Sequence, residues 1–126
     1  FLGLTHLNIA APIAGYYNQQ VKEGHLDWYN KNLLSFRGMD RWMFLQYYIE
    51  YVVLTDLFKD ESTAKVLIYI ATNDNEYYNR IAAFQSMTLV IPETPENRNI
   101  LASIAAKEED QRAKAVMNSL LASEGN

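Results

Sequence analysis

Helix-breaking residues are few in this chain, and they stand where turns are needed. Proline occurs only at Pro12, Pro92 and Pro95, and glycine at five positions in 126 residues. Proline lacks a backbone donor and fixes φ, and glycine costs conformational entropy inside regular elements, so both punctuate a chain. Good helix formers fill the spaces between, and strand-like alternation is scarce. The pattern predicts an all-α chain of helices joined by short turns. The apolar fraction of 49% suffices for an ordinary core, and the length suits a single domain over 1–126.

Periodicity places about seven helices. The first clear one is expected over Pro12–Glu23, with Ile13, Tyr17 and Val21 on one face and Gly24 as its stop; a short helix over Thr5–Ala10 could precede it. The second, Leu26–Arg37, ends at Gly38, and Asp40 reads as the cap of a third over Arg41–Phe58. That third helix is apolar nearly all round, which predicts a central position. A fourth runs over Glu61–Thr72 after a cap at Asp60, with Ala64, Leu67, Ile68 and Ala71 inward. Asn73-Asp74-Asn75 makes a turn, and a fifth helix over Glu76–Val90 is expected to bury Ile81, Phe84 and Met87. Thr94 caps and Pro95 opens a sixth, to about Ala106, with Ile100, Leu101, Ile104 and Ala105 as its stripe. The seventh is expected over Glu108–Ala122, its acidic start at Glu108-Glu109-Asp110 complementing the helix dipole and Ala113, Val116, Met117 and Leu120 facing in. An acidic docking patch is the sharper reading of the same run.

The last four helices read as two copies of one hairpin. Leu67, Ile70 and Ala71 match Leu101, Ile104 and Ala105 at a spacing of 34, and Arg80, Ala83 and Phe84 match Arg112, Ala115 and Val116 at 32. A two-helix period of this size marks a helical solenoid. The stretch from Asp74 to Phe84 resembles the centre of a HEAT repeat, with an acid in the turn, Arg80 six residues later and an alanine-rich second helix. The resemblance covers about 60–122, and 1–59 matches only in being helical. It implies antiparallel hairpins stacked as a short right-handed α-solenoid, with Asp74 and Arg80 tying adjacent repeats together. Arg112 fits the arginine position of the last repeat, but Ala106 stands six residues before it, which leaves that ladder incomplete. HEAT-like domains also form C-terminal parts of some zinc aminopeptidases, so an accessory region of such an enzyme is an alternative.

Composition excludes several function classes. With no cysteine there is no disulfide, thiolate metal site or cysteine nucleophile. A net charge of −4, with basic residues scattered from Lys22 to Lys114, disfavours nucleic acid and anionic membranes, which require a positive stripe. No apolar run has the length of a membrane span, and Phe1–Ala14 lacks the basic leader of a signal peptide. A soluble chain is expected, the cytoplasm slightly favoured. His-Glu-x-x-His, phosphate-loop, nucleophile-elbow and Glu-x-x-His patterns do not occur, so neither catalytic residues nor cofactor nor metal is expected. His6 and His25 read as surface or boundary residues.

Candidate binding residues are aromatic. Tyrosine and tryptophan join an apolar body to a polar tip, which suits recognition surfaces. Most of the nine tyrosines should pack in the core, but neighbours in Tyr16-Tyr17, Tyr47-Tyr48 and Tyr77-Tyr78 diverge by about 100° on a helix, so some reach a rim. Glu50 stands in the most apolar helix, one turn after Gln46. It reads as an anchor in a small-ligand pocket or a general acid-base, or else as a carboxylate that faces a rim or is satisfied by Arg37, Arg80 or a tyrosine hydroxyl. The candidates are Trp42, Tyr47, Glu50, Tyr51, Tyr77 and Tyr78, on a non-catalytic domain binding a protein or peptide, with homo-oligomerisation left open.

Overall fold

The computed structural model describes residues 31, 33–47 and 61–124. They form five helices: α1 Gly38–Tyr47, α2 Glu61–Asn73, α3 Tyr77–Val90, α4 Pro95–Lys107 and α5 Gln111–Glu124. A helical stretch over 33–35 precedes α1, and no strand occurs among the described residues. The fold class is all-α. The helices expected over 5–10 and 12–23, most of the one over 26–37, the distal part of the third and the Asp60 cap lie outside the described residues. So do His6 and His25.

Local chemistry sets the boundaries. Gly38 has φ +54, a left-handed conformation that glycine adopts without steric cost and that suits a helix stop. The helix beyond it starts earlier than expected, because Arg41 N already bonds Arg37 O at 3.4 Å; Asp40 therefore sits in the first turn of α1 and is not its cap. At α4, Thr94 Oγ1 accepts from Asn97 N at 3.1 Å, and Pro95 occupies the first turn. At α5 the acidic run is not a helix start. Residues 108–110 form the turn, and Asp110 is the cap: its Oδ1 accepts from Arg112 N at 2.9 Å and Ala113 N at 3.2 Å, while Lys114 N bonds its carbonyl.

The two hairpins have one set of lengths. Helices α2 and α4 have 13 residues each, and α3 and α5 have 14. Three residues turn each hairpin and four link the pair, so Glu61 to Pro95 and Tyr77 to Gln111 are both steps of 34. Four buried pairs keep the same step: Leu67 and Leu101, Ala71 and Ala105, Asn79 and Ala113, and Ala83 and Met117. The 32-residue match of Ala83 and Phe84 to Ala115 and Val116 is corrected accordingly. Val116 is 39% exposed and Ala115 is exposed, because the cap at Asp110 rotates Ala113 and Met117 inward.

Among the described residues α3 is the central helix. It packs against α1, α2 and α5, and α4 packs against α5. Its buried residues Asn79, Ala82, Ala83, Phe84, Ser86 and Met87 cover roughly 200° of the circumference at 100° per residue. Ala82, Ala83 and Ser86 are small, which lets neighbouring helices approach closely. Ser86 Oγ donates to Ala82 O at 2.9 Å, so burying this hydroxyl leaves no unmet donor. Leu33, Phe44, Leu45, Leu67, Ile70, Phe84, Met87 and Met117 belong to one continuous core. Each large side chain withdrawn from water contributes about 1.5–3 kcal/mol. Ile68, expected inward, packs against that core, whereas Ile100 does not. Ile68 is half-buried and Ile100 is 38% exposed.

Candidate functional site: charged rungs and the clefts beside them

Each hairpin turn carries a carboxylate that holds its own loop and also takes an arginine from the helix before that hairpin. Asp74 Oδ1 accepts from Glu76 N at 2.8 Å, and Glu108 Oε2 accepts from Asp110 N at 2.9 Å. Both bonds reach two residues forward, and the two acids stand one hairpin step apart in sequence. Asp74 receives Arg41 from α1. Glu108 receives Arg80 from α3 in a forked pair, Nε–Oε1 at 2.8 Å and Nη2–Oε2 at 2.9 Å. Each arginine also donates to a carbonyl on its own side, Arg41 to Leu34 O at 2.7 Å and Arg80 to Asp74 O at 2.8 Å. Asp74 and Arg80 thus do not join through their side chains; each carries a contact to a neighbouring unit. The forked bond to Arg80 holds the Glu108 carboxyl below its ordinary range against the opposing effect of burial.

Asn79 completes the Arg41–Asp74 rung. It is fully buried, and its Nδ2 donates to Gly38 O at 2.9 Å and Asp74 Oδ1 at 3.3 Å. The rung therefore joins the start of α1, the hairpin turn and the first turn of α3.

Beside each rung lies a half-open cleft. The larger, about 680 Å3, opens between α2 and α4. Its walls include Ile68 and Thr72 on one side and Ile100, Ser103 and Ile104 on the other. The Arg80–Glu108 pair closes one end, with Lys107 and Glu109 next to it. A second, of about 470 Å3, lies one unit earlier: Leu34 and Tyr69 stand on its walls and Arg41 and Asp74 at its end. The arginines at both ends already bond carboxylates and carbonyls, so a ligand would meet apolar walls, the hydroxyls of Ser103 and Thr72 and the charges of Lys107 and Glu109. That inventory supports recognition by burial and hydrogen bonding.

The expected aromatic candidates fall elsewhere. Trp42 is half-buried against the core. The side chain of Tyr47, and all of Glu50 and Tyr51, lie outside the described residues. Tyr77 and Tyr78 meet edge to face with centroids 5.7 Å apart, and the Arg112 guanidinium lies 3.8 Å over the Tyr77 ring. Burial first, then the negative charges of Glu76 and Asp74, raises the Tyr78 hydroxyl above its ordinary value. Arg112 bonds Asp110, the cap of its own helix, at 2.8 Å, and it joins α5 to α3 through the tyrosine ring. Neither tyrosine lines the larger cleft.

Sequence reasoning missed Arg41, Asn79 and Glu108. The signal for Glu108 was present, since an acid recurs one hairpin step after Asp74. Among the described residues no group of three or more histidine or acidic side chains is placed to hold a metal ion, and no helix is long and apolar enough to cross a membrane. No protein-family model matches the chain, and neither the curated proteins nor the solved structures give a significant match.

Proposed function

We propose that this chain is a non-catalytic, HEAT-like helical-repeat domain that binds a protein or peptide segment in the cleft between α2 and α4. The observation that carries the reading is the cleft itself, half-open and walled by Ile68, Ile100 and Ile104. A concave, largely apolar site with a few polar groups at its end is the usual form of a recognition site. Two hairpins of equal length, tied by an arginine and a turn carboxylate, support the repeat reading and the short right-handed stack of about seven helices. An extended segment fits a site open to solvent along its length, with Ser103 and Lys107 as polar contacts.

A peptide-display selection on the immobilised folded chain tests this. Selected peptides should bind Ile100→Glu and Ser103→Trp at least tenfold more weakly, with the circular dichroism of both variants unchanged. Peptides that bind both variants as tightly as the parent would refute the site. The volume also suits a small molecule. In that case a compound screen by thermal shift would yield ligands sensitive to the same two substitutions, while the peptide selection would return none.

A further inference from the structure

The two clefts repeat one another. Leu34 and Ile68, Tyr69 and Ser103, and Asp74 and Glu108 each stand 34 residues apart, and in every pair the first lines the smaller cleft and the second the larger. The buried leucines Leu33, Leu67 and Leu101 keep that step twice, so the register that sets the hairpins also sets the clefts. Helix α2 is the wall between them: Ile68 and Thr72 line the larger, Tyr69 and Asn73 the smaller. Exposed apolar surface stands at both, Leu34 and Tyr69 at one and Ile100 at the other. The copies differ in charge. Where the larger cleft has Ala71, the smaller has Arg37, and where the larger has Lys107 and Glu109, the smaller has Asn73 and Asn75. Arg37 is exposed and forms no ion pair among the described residues, Glu76 of the same cleft included. Asp74 is already neutralised by Arg41.

We propose, resting on the peptide reading of the larger cleft, that the smaller cleft is a second subsite for the same extended segment and that it selects an acidic side chain. An aliphatic side chain enters between Ile68 and Ile100, and the carboxylate of a second residue pairs with Arg37 beside Tyr69. A helix with its side chains is about 10–12 Å across, and an extended chain advances about 3.3–3.6 Å per residue. Crossing α2 therefore takes about three residues. The occupant is an extended polypeptide with an aspartate or glutamate at that spacing from an aliphatic anchor. Charge complementarity at Arg37 specifies the acid, and the repetition of the clefts across α2 specifies the spacing.

The probe is a display library of peptides with one leucine fixed and the flanking positions random, selected on the immobilised full chain. On the parent, aspartate and glutamate should be enriched on one side of the leucine at about the three-residue spacing. On Arg37→Glu the enrichment at that position should reverse to lysine and arginine while the leucine anchor is kept, a swap that a merely structural role of Arg37 would not produce. Arg37→Gln should weaken an acid-bearing peptide about twofold to fivefold, the range of an exposed ion pair, and Glu76→Gln should tighten it. Leucine-anchored binders that are sensitive to Ile100→Glu but carry no acid preference, or one that Arg37→Glu leaves unmoved, would overturn the second subsite and leave the peptide reading of the larger cleft standing. Binders indifferent to Ile100→Glu, or no binders at all, would remove both.

Discussion

At Glu108 a carboxylate has left water almost completely, its side chain only 3% exposed, and its oxygens take two arginine nitrogens and one backbone amide. A buried charge is tolerated only while its donors stay in place, so removing one partner costs more than the pair contributes. Arg80→Met should destabilise the fold by about 3 kcal/mol, read as a shift in urea midpoint. The double variant Arg80→Met/Glu108→Gln should lose less than the two single variants summed; strict additivity would show that the forked pair is not coupled. Acid should act at the same place. Glu108 titrates below its ordinary value of 4.5 in the folded chain, so the unfolded chain binds its proton first as pH falls. The stabilisation is complete above that value and is lost as pH drops through the lower folded value. Asp110, held down to about 2 by its bond to Arg112, follows later in the same direction. Stability measured from pH 6 to pH 2 should therefore decline, and Glu108→Gln should flatten the upper part of that decline. An unaltered slope would contradict the assignment.

Helix α3 shows what an element gains from small residues. Ala83 is fully buried beside Phe84 and Met87, and the packing depends on neighbours being close. Ala83→Leu, apolar and favourable to helix, should nonetheless cost about 1–3 kcal/mol through overpacking, measurable by thermal denaturation; a neutral result would mean that the α3 contacts are loose. The central role of this helix was hard to read in advance. Most of the segment expected to be central, 41–58, lies outside the described residues; among those described, centrality depends on how many sides are buried, and alanine and serine carry little signal for that. Helix ends marked by proline and a hydroxyl cap were legible, as Thr94 and Pro95 show. The start of α5 was not, because Glu108, Glu109 and Asp110 are chemically alike. Only geometry separates the acid that caps from the acid that reaches back to Arg80. The two-residue error in matching the hairpins followed from that ambiguity. The larger cleft was illegible for a related reason: Ile68 and Ile100 carry the same apolar signal whether a helix covers them or a groove does.

For the whole molecule, the neighbours of each helix predict a gradient of local stability. Among the described residues α3 has packed helices on several sides, while α5 packs against α3 and α4. Native-state hydrogen exchange should give the slowest amides in the middle of α3, around Ala83 and Phe84, and faster ones in the last two turns of α5. Equal protection in both helices would mean that the hairpins open only together. The forked Arg80–Glu108 pair ties α3 to the turn before α5, so exchange in the first turn of α5 should quicken in Arg80→Met.

The matched lengths of the hairpins have a mechanical consequence. Under a pulling force the α4–α5 hairpin should peel away from α3 once the forked Arg80–Glu108 pair gives. One hairpin start follows the next from Glu61 to Pro95, a contour of roughly 110–120 Å at the full reach of an extended chain, and the slack released is that length less the folded span. A force trace from these two units would show paired teeth of one spacing, the forked ion pair setting the height of the first.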